Sequence, residues 1–374
     1  MLPCPPKKKK LNLHPSSNAF ATIILQKFSV QTPTNADIAY IVICAIGQNL
    51  KMFTNKDIEY RTIFVINCIK DRNLRVSNGE LLLEEVEEKK TLTKLPFQKI
   101  LALFVVGHIH ITTPLIEKCK KYNVALVVMK PSLRPVFFWA NSAEANYLLR
   151  QKQYQLKKED IGIAKWIMCN KIRNQLALLG KTRKKDALTM EAMDVCNKAL
   201  YKWIDVIKDY NKLMGMEGYV SKAFFSAYYQ DLGWQSRKPR TKCDVLNATL
   251  DIGYTMLFNF IECFVRMFGF DVYVGVFHRL WFKRKSLICD LVEPFRCIID
   301  HTVRTAYNRK QFSQKDFSLY KGEYRLKIEK NSEYAKVFFD ALIPHKMEIF
   351  IFIRSYYRCF MQGKETSHYP TFTF

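Results

Sequence analysis

Between residues 57 and 130 the apolar positions either alternate with polar ones or gather in short continuous runs, the pattern of β-strands. Residues 62–66 are apolar and β-branched, and 74–76 and 81–83 flank Asn78-Gly79, a dipeptide that favours a two-residue hairpin turn. Leu95-Pro96-Phe97 introduces another strand, which continues over 102–111, where His108 and His110 alternate with Ile109 and Ile111 and so are expected on one sheet face. A short helix is predicted at 113–120, a buried strand at 124–129, a loop and short strand at 131–138, and a boundary at 141–145. Beyond it the period becomes helical, over 145–155, 161–179 and 190–213. In the last of these Met193, Cys196, Leu200, Trp203, Ile204 and Ile207 form one apolar stripe, which reads as core. An aromatic-rich helix follows over 215–229. Residues 245–268 are apolar almost all round, with Asp244 at the N-cap position, and are expected to be the buried centre. Helices over 286–296 and 332–360, a short strand pair at 320–326 and a loose tail at 362–374 complete the prediction. The fold class is α+β, an N-terminal β-rich domain (52–142) followed by a larger all-α domain (143–374), with 1–51 standing apart as an N-terminal extension.

Composition narrows the class. The 374 residues are 49% apolar and 14% aromatic, which excludes a disordered chain. Lysine and arginine number 59 against 34 acidic residues, a formal charge of +25. An excess of that size points to a polyanionic partner, nucleic acid before an anionic membrane surface. None of the eleven cysteines forms a C-x-x-C pair, so neither a zinc ribbon nor a thioredoxin-like redox site is indicated, and buried thiols in a reducing cytoplasm fit best. The lysines at 7–10 lack a following signal-peptide core and read as a solvated tail. Residues 38–46 are too few to span a bilayer, and 245–268 carry Asp251, Glu262 and Arg266, so a soluble, cytoplasmic protein is expected. Met52, just before the first patterned segment, reads as an alternative translation start.

Candidate chemistry is concentrated between 215 and 296. Glu217 lies in Gly-Met-Glu-Gly, His278 closes Gly275-Val-Phe-His, and Asp290 and Glu293 share one helical face in Ser286-Leu-Ile-Cys-Asp-Leu-Val-Glu-Pro-Phe-Arg296. Two carboxylates and an imidazole among few other polar residues suit Mg²⁺ or Mn²⁺. Taken singly, a buried histidine is more often a satisfied core residue and an Asp-x-x-Glu pair a solvated helix face. Basic residues flank these positions. Lys238, Arg240 and Lys242 lie in a Pro-broken segment expected to be a mobile loop, and Arg279, Lys283, Arg284 and Lys285 follow His278; all are candidate phosphate contacts. The loop at 181–185 reads equally as a phosphate contact or a solvated charge run. His108 and His110 have no nearby carboxylates, which favours a surface or interface role over metal binding.

Four ordered motifs make a resemblance specific: Gly-x-Glu-Gly with its aromatic helix; a basic Pro-containing loop leading into Asp244-Val-Leu-Asn247-Ala-Thr-Leu250 and Gly253-Tyr254; Gly-x-x-His; and Ser-Leu-x-x-Asp-Leu-x-Glu-x-Phe-Arg. Together with Leu95-Pro96-Phe97 and Thr112-Thr113-Pro114-Leu115 they resemble the Cas-one family, the integrase that inserts new spacers into CRISPR arrays. The resemblance covers roughly 57–360 and leaves 1–51 outside. Lys238-Pro239-Arg240-Thr241 is more basic than the family's usual Pro-rich loop, and the family's third ligand is Asp or Glu. The resemblance implies a β-rich domain that pairs protomers into a homodimer and an α-helical catalytic domain. It implies a Mg²⁺ or Mn²⁺ site made by Glu217, His278 and Glu293, with Asp290 at the metal or in support. Implied too are a Cas-two protein, around which two dimers assemble as a heterohexamer, and in some systems a Cas-four nuclease. The implied reaction is transesterification, joining 3′-hydroxyl ends of double-stranded spacer DNA to the CRISPR repeat, with endonuclease activity alongside. Two other readings remain: a metal-dependent DNA endonuclease that does not integrate, and a non-catalytic DNA-binding subunit.

Overall fold

The computed structural model describes residues 53–374 except 70–71, 89, 141–142, 144–145, 158 and 184; the extension at 1–51, Met52 and most of the boundary at 141–145 lie outside the described residues. Helix α1 (Asn55–Tyr60) is opened by a capping box in which Thr54 and Asp57 exchange hydrogen bonds, and it leads into β1 (Thr62–Cys68). The predicted hairpin forms: β2 (Arg72–Ser77) and β3 (Glu80–Glu85) pair antiparallel with Ser77 opposite Glu80. Asn78 and Gly79 both take positive φ, 48° and 81°, the backbone that a tight hairpin turn demands. Strand β4 (Lys90–Pro96) completes a three-stranded sheet.

Strand β5 (Ile100–Gly107) joins a different sheet. It lies parallel to β1, and helix α2 (Thr113–Tyr122) returns the chain to β6 (Ala125–Met129), parallel to β5, with β7 (Pro135–Trp139) antiparallel at the edge. Every residue of β5 is buried, which is what an unbroken Ile-Leu-Ala-Leu-Phe-Val-Val run requires of a strand covered on both faces. Phe104 and Val106 face the helical body, whereas Leu103 and Val105 pack with Leu74, Leu81, Phe97 and Leu115 on the hairpin side. The strand ends at Gly107, so His108 and His110 fall in the following coil and do not share a sheet face as expected. The backbone leaves the strand region at Gly107, φ +119°, an exit open to glycine because a Cβ there would lie 2.4 Å from the Cys68 carbonyl oxygen.

The remainder is helical apart from one hairpin. Helix α3 (Tyr147–Tyr154) precedes α4 (Gly162–Gly180) and α5 (Ala187–Lys198), which continues as a π turn (Ala199–Trp203) and a helical turn (Ile204–Val206). The expected helix over 190–213 is therefore interrupted. Ile207 is extended, and Asp209 caps a new helix, α6 (Tyr210–Tyr228), by accepting from the Asn211 and Lys212 amides. Gly215 and Gly218 consequently sit inside α6 and not at its start.

Asp244 caps α7 (Val245–Met267) as predicted, accepting from Asn247 N at 2.7 Å. Among the described residues α7 is long and apolar enough to cross a membrane, but it is mostly buried in this fold and acts as the central core helix. Helix α8 (Ser286–Val292) passes through a 3₁₀ turn at Glu293–Phe295, where Pro294 takes an early-turn position, into α9 (Arg296–Asn308). A hairpin of β8 (Phe317–Tyr320) and β9 (Glu323–Leu326) precedes α10 (Asn331–Leu342) and α11 (Lys346–Gln362). At Gly253 of α7 a Cβ would stand 2.6 Å from both Ile299 and Phe338, so the bare glycine is what lets α9 and α10 close on α7.

The tail after α11 is not loose. Phe372 is buried against Phe295, its backbone N–H donates to Asn170 and its carbonyl accepts from Asn170 and Asn174 of α4. Asn174 also donates to the Pro294 carbonyl at 2.9 Å, which ties the tail, α4 and the Glu293 turn into one unit. The β-rich half thus comes first and the helical half second, the α+β order expected.

Candidate metal centre and nucleic-acid cleft

Glu217 of α6, His278 of the loop before α8 and Glu293 of the 3₁₀ turn line a single cavity of about 810 Å³. Between the two carboxylates stands Lys171 of α4, with Nζ 2.5 Å from Glu217 Oε1 and 2.8 Å from Glu293 Oε2. Ser221, one turn along α6, donates to the same Glu217 oxygen at 2.8 Å, and Arg296 Nε lies 3.0 Å from Glu293 Oε2. Burial would depress the Lys171 ammonium, but Glu217 and Glu293 outweigh it and hold its pKa above the ordinary value. Burial likewise opposes ionisation of Glu293, yet Arg296 and Lys171 bring its pKa down to about 2. Glu217 is lowered by Lys171 against the same opposition. Both carboxylates are therefore held in their ionised form, Glu217 by Lys171 and Glu293 by Arg296 and Lys171.

His278 is positioned by Asp290, whose Oδ1 lies 2.7 Å from Nδ1 and so leaves Nε2 as the ring nitrogen for a ligand. The backbone N–H groups of Val276 and Phe277 donate to Asp290 Oδ2 and that of His278 to Oδ1. Gly275 makes the nest possible, since a Cβ there would fall 2.6 Å from Asp290 Oδ2. Asp290 is fully buried with both oxygens engaged, and it supports His278. A carboxylate fixing the far nitrogen of an imidazole is the usual outer support of a metal-ligating histidine.

The donor chemistry of Glu217, Glu293 and His278 suits a divalent cation. Two ionised carboxylates and an oriented imidazole form a suitable donor set. Among the described residues no three Asp, Glu, His or Cys side chains converge closely enough to hold a metal ion as they stand. Instead a cation does occupy the space between Glu217 and Glu293, the ammonium of Lys171.

The predicted basic residues divide. Arg240 and Lys242 line the cavity, together with Arg134, Lys222, Arg237 and Arg296, and Lys238 is exposed beside it. Their loop is tied down where mobility was expected: Arg237 pairs with Asp251 at 2.6 Å, the amides of Lys238 and Arg240 donate to Asn247 and Asp251, and the Lys242 carbonyl accepts from Tyr324 N. Lys285 is spent inside the fold, 2.7 Å from the fully buried Glu262, and Arg284 bonds the Arg279 carbonyl and Ser286. Arg279 stacks 3.8 Å over the Tyr210 ring, and Lys283 is exposed. At 181–185, the Lys185 ammonium is turned onto the carbonyls that end α4, away from a phosphate role.

The profile described as CRISPR associated protein Cas1 matches residues 68–339. The chain belongs to the Cas1 family. A CRISPR-associated endonuclease Cas1 of Thermodesulfovibrio yellowstonii is 29% identical over 266 residues, 68% of this chain and 82% of that protein. Among solved structures, a chain of a Cas6-RT-Cas1–Cas2 complex has a TM-score of 0.69 at 19% identity over 84% of this chain, which spans 36% of that longer one. A casposase bound to integration product has a TM-score of 0.67 at 18% identity, covering 81% of this chain and 92% of that one. At these identities the likeness establishes the fold. What reading the motifs of this Cas1 chain one by one did not single out is Lys171. A signal for it exists: Asn170-Lys171 and Asn174-Gln175 recur four residues apart in a helix that is mostly apolar, a polar stripe that would be costly to bury without partners.

Proposed function

We propose that this protein is a divalent-metal-dependent DNA strand transferase of CRISPR adaptation. The observation that carries the reading is the cation-holding pair Glu217 and Glu293 beside an imidazole oriented by Asp290, in a cleft lined by basic side chains. Glu217, Glu293 and His278 Nε2 would hold Mg²⁺ or Mn²⁺ in the position Lys171 partly fills. When bound, such an ion offsets the charge of an attacked phosphodiester and acidifies a hydroxyl nucleophile. The chain's own residues do the rest. Arg134, Lys222, Arg240 and Lys242 neutralise DNA phosphates and set the strand's register, a backbone reading that leaves sequence to shape. Asp290 keeps the His278 proton on Nδ1. In the transfer itself the 3′-hydroxyl of the incoming strand gives up its proton to solvent as its oxygen bonds to phosphorus, and the target strand's 3′-oxygen leaves with the electron pair and takes up a proton. With water as nucleophile the same site cuts DNA.

The Cas1–Cas2 assembly and the integration-product complex among the structural neighbours support a Cas2 partner and an integrating reaction. Pairing of protomers belongs to the same reading, and the described cysteines, all free thiols, suit a cytoplasmic site of action. The test is strand transfer from a short duplex with 3′-hydroxyl ends into a supercoiled plasmid bearing a CRISPR repeat, with Mn²⁺, with and without Cas2. Joined products are expected from the wild type and a loss of at least about 100-fold from His278→Ala and Glu293→Ala. Nicking without joining under every condition would leave a nuclease only, and undiminished joining by both variants would place the chemistry elsewhere.

A further inference from the structure

Between α7 and the Gly275–His278 segment, residues 268–274 are turns and coil, and one face of α3 gives them their shape. Asn146, Arg150, Gln153 and Tyr154 recur at the three- and four-residue spacing that puts helical side chains on one side. All four bond this stretch. Asn146 Nδ2 donates to the Phe268 carbonyl at 3.0 Å and Arg150 Nε to the Gly269 carbonyl at 3.2 Å. The approach is close, since a Cβ on Gly269 would stand 2.3 Å from the Ala143 carbonyl oxygen. The Tyr154 hydroxyl donates to Asp271 Oδ2 at 2.8 Å. Gln153 holds the most. Val274 N closes the 271–274 turn on the Asp271 carbonyl, and the Gln153 amide spans that turn. Its Nε2 donates to the Asp271 and Val274 carbonyls at 3.1 and 3.3 Å, and its Oε1 accepts from Asp271 N at 2.9 Å. The side chain is only 3% exposed, and burying an amide is tolerable because these bonds satisfy it.

We propose that Gln153 is a positioning residue for His278, acting through this turn. The proposal rests on the metal reading above and adds the group, outside the centre, that sets where its imidazole stands. Val274 is the residue before Gly275, and Gly275 leads directly into the three N–H groups that hold Asp290. Helix α8 grips the same turn from its other side, Leu287 N donating to the Val272 carbonyl at 3.0 Å. The turn is thus fixed between α3 and the helix that carries Asp290. Apolar contact alone would seat α3, because Leu149 is fully buried, but such contact has no direction. Hydrogen bonds to three backbone groups fix direction as well, and a ligand constellation must be held to within about 0.5 Å. Without the Gln153 amide the 271–274 turn is free to shift, and the shift reaches His278 over four residues.

Gln153→Met keeps the bulk of the side chain and removes its three hydrogen bonds. Tyr154→Phe, at a ring 61% exposed, removes one hydroxyl with little risk to the fold. Leu149→Ala is the control, equally buried on the same helix but outside these bonds. The first readout is the imidazole resonances of the metal-free full chain carrying nitrogen-15 histidine, with His278 identified by its absence from His278→Ala. The His278 signals should move in Gln153→Met, move less in Tyr154→Phe and stay in place in Leu149→Ala, even where the control melts at lower temperature. Affinity for Mn²⁺, read from the paramagnetic resonance of the free ion, should fall about tenfold in Gln153→Met, the low end for groups that orient a metal ligand. In strand transfer kcat should fall with it, while KM for DNA stays within about twofold because no phosphate contact is touched. Unmoved His278 resonances with unchanged Mn²⁺ affinity in Gln153→Met would overturn the inference and leave Gln153 a staple of α3. Equal changes in Leu149→Ala would overturn it too, as general loosening. A wild type that binds no Mn²⁺, while its His278 resonances still follow Gln153, would overturn the metal reading and leave the positioning standing.

Discussion

At the scale of single residues, Lys171 is the one that decides how the centre stands without metal. It is an internal counter-ion for the part-buried Glu217 and the buried Glu293, which would otherwise repel each other. Lys171→Met removes the cation shared by Glu217 and Glu293 and leaves Arg296 alone beside Glu293, and a loss of about 3 kcal/mol is expected in metal-free protein. If the proposed site holds Mn²⁺, the ion should restore more of the melting temperature in the variant than it adds to the wild type, where it would compete with the ammonium. Equal Mn²⁺ gains, read from paired thermal melts, would show that lysine and metal do not share the position. Asp300 offers a second residue-scale test. Burial pushes its carboxyl up to about 6 from 3.8, even though Tyr254 and Tyr229 donate to it and Arg296 is near. The folded state thus binds the proton more tightly than the unfolded chain. Its contribution to stability is complete below about pH 4 and is lost as pH rises through about 6. Asp300→Asn cannot ionise and keeps the Oδ1 acceptor, so its stability relative to wild type should climb by at most about 3 kcal/mol between pH 4 and 6. Urea unfolding across that range would give a flat difference if the assignment is wrong.

Among elements, the C-terminal segment matters most for the site. It is held by Asn170 and Asn174, which flank Lys171 on α4, and Asn174 reaches the Pro294 carbonyl beside Glu293. Phe372→Ala should therefore cost about 3 kcal/mol, the low end for emptying a buried phenylalanine because a chain end relaxes easily. The loss should appear as a shift of the urea midpoint at unchanged slope; an unmoved midpoint would mean that the tail is only laid on the surface. The same element shows why local pattern failed there. Phe372 and Phe374 have no period of their own, and their backbone N–H groups are held by Asn170 and Asn174 about 200 residues earlier.

For the whole molecule the question is which of its charges meet DNA. Replacing Lys238, Arg240 and Lys242 with alanine should flatten the dependence of binding on salt, by up to about 2.7 in the slope of log K against log salt for three phosphate contacts. Lys285→Met should leave that slope alone and instead destabilise the fold, since it strips a partner from the fully buried Glu262. A slope reduced by the Lys285 variant as much as by the cleft variants would contradict the division made by the structure.

Much of this architecture is written in short stretches of sequence. The Asn78-Gly79 turn, the Asp244 cap, the continuous apolar run of β5 and the motifs around Glu217, His278 and Glu293 each follow from neighbouring residues, whose backbone preferences and periodicity act locally. Their tertiary consequences do not. Lys171 meets Glu217 across 46 positions, Asn174 meets Pro294 across 120, and Lys285 meets Glu262 across 23. Whether a lysine grips DNA or neutralises a buried glutamate depends on which carboxylate the fold brings within 3 Å, and no periodicity encodes that. Asp290 makes the same point: the sequence alone determined that a carboxylate stands one helical turn before Glu293, and only the fold, by aiming three backbone N–H groups and an imidazole at it, decided that it supports His278.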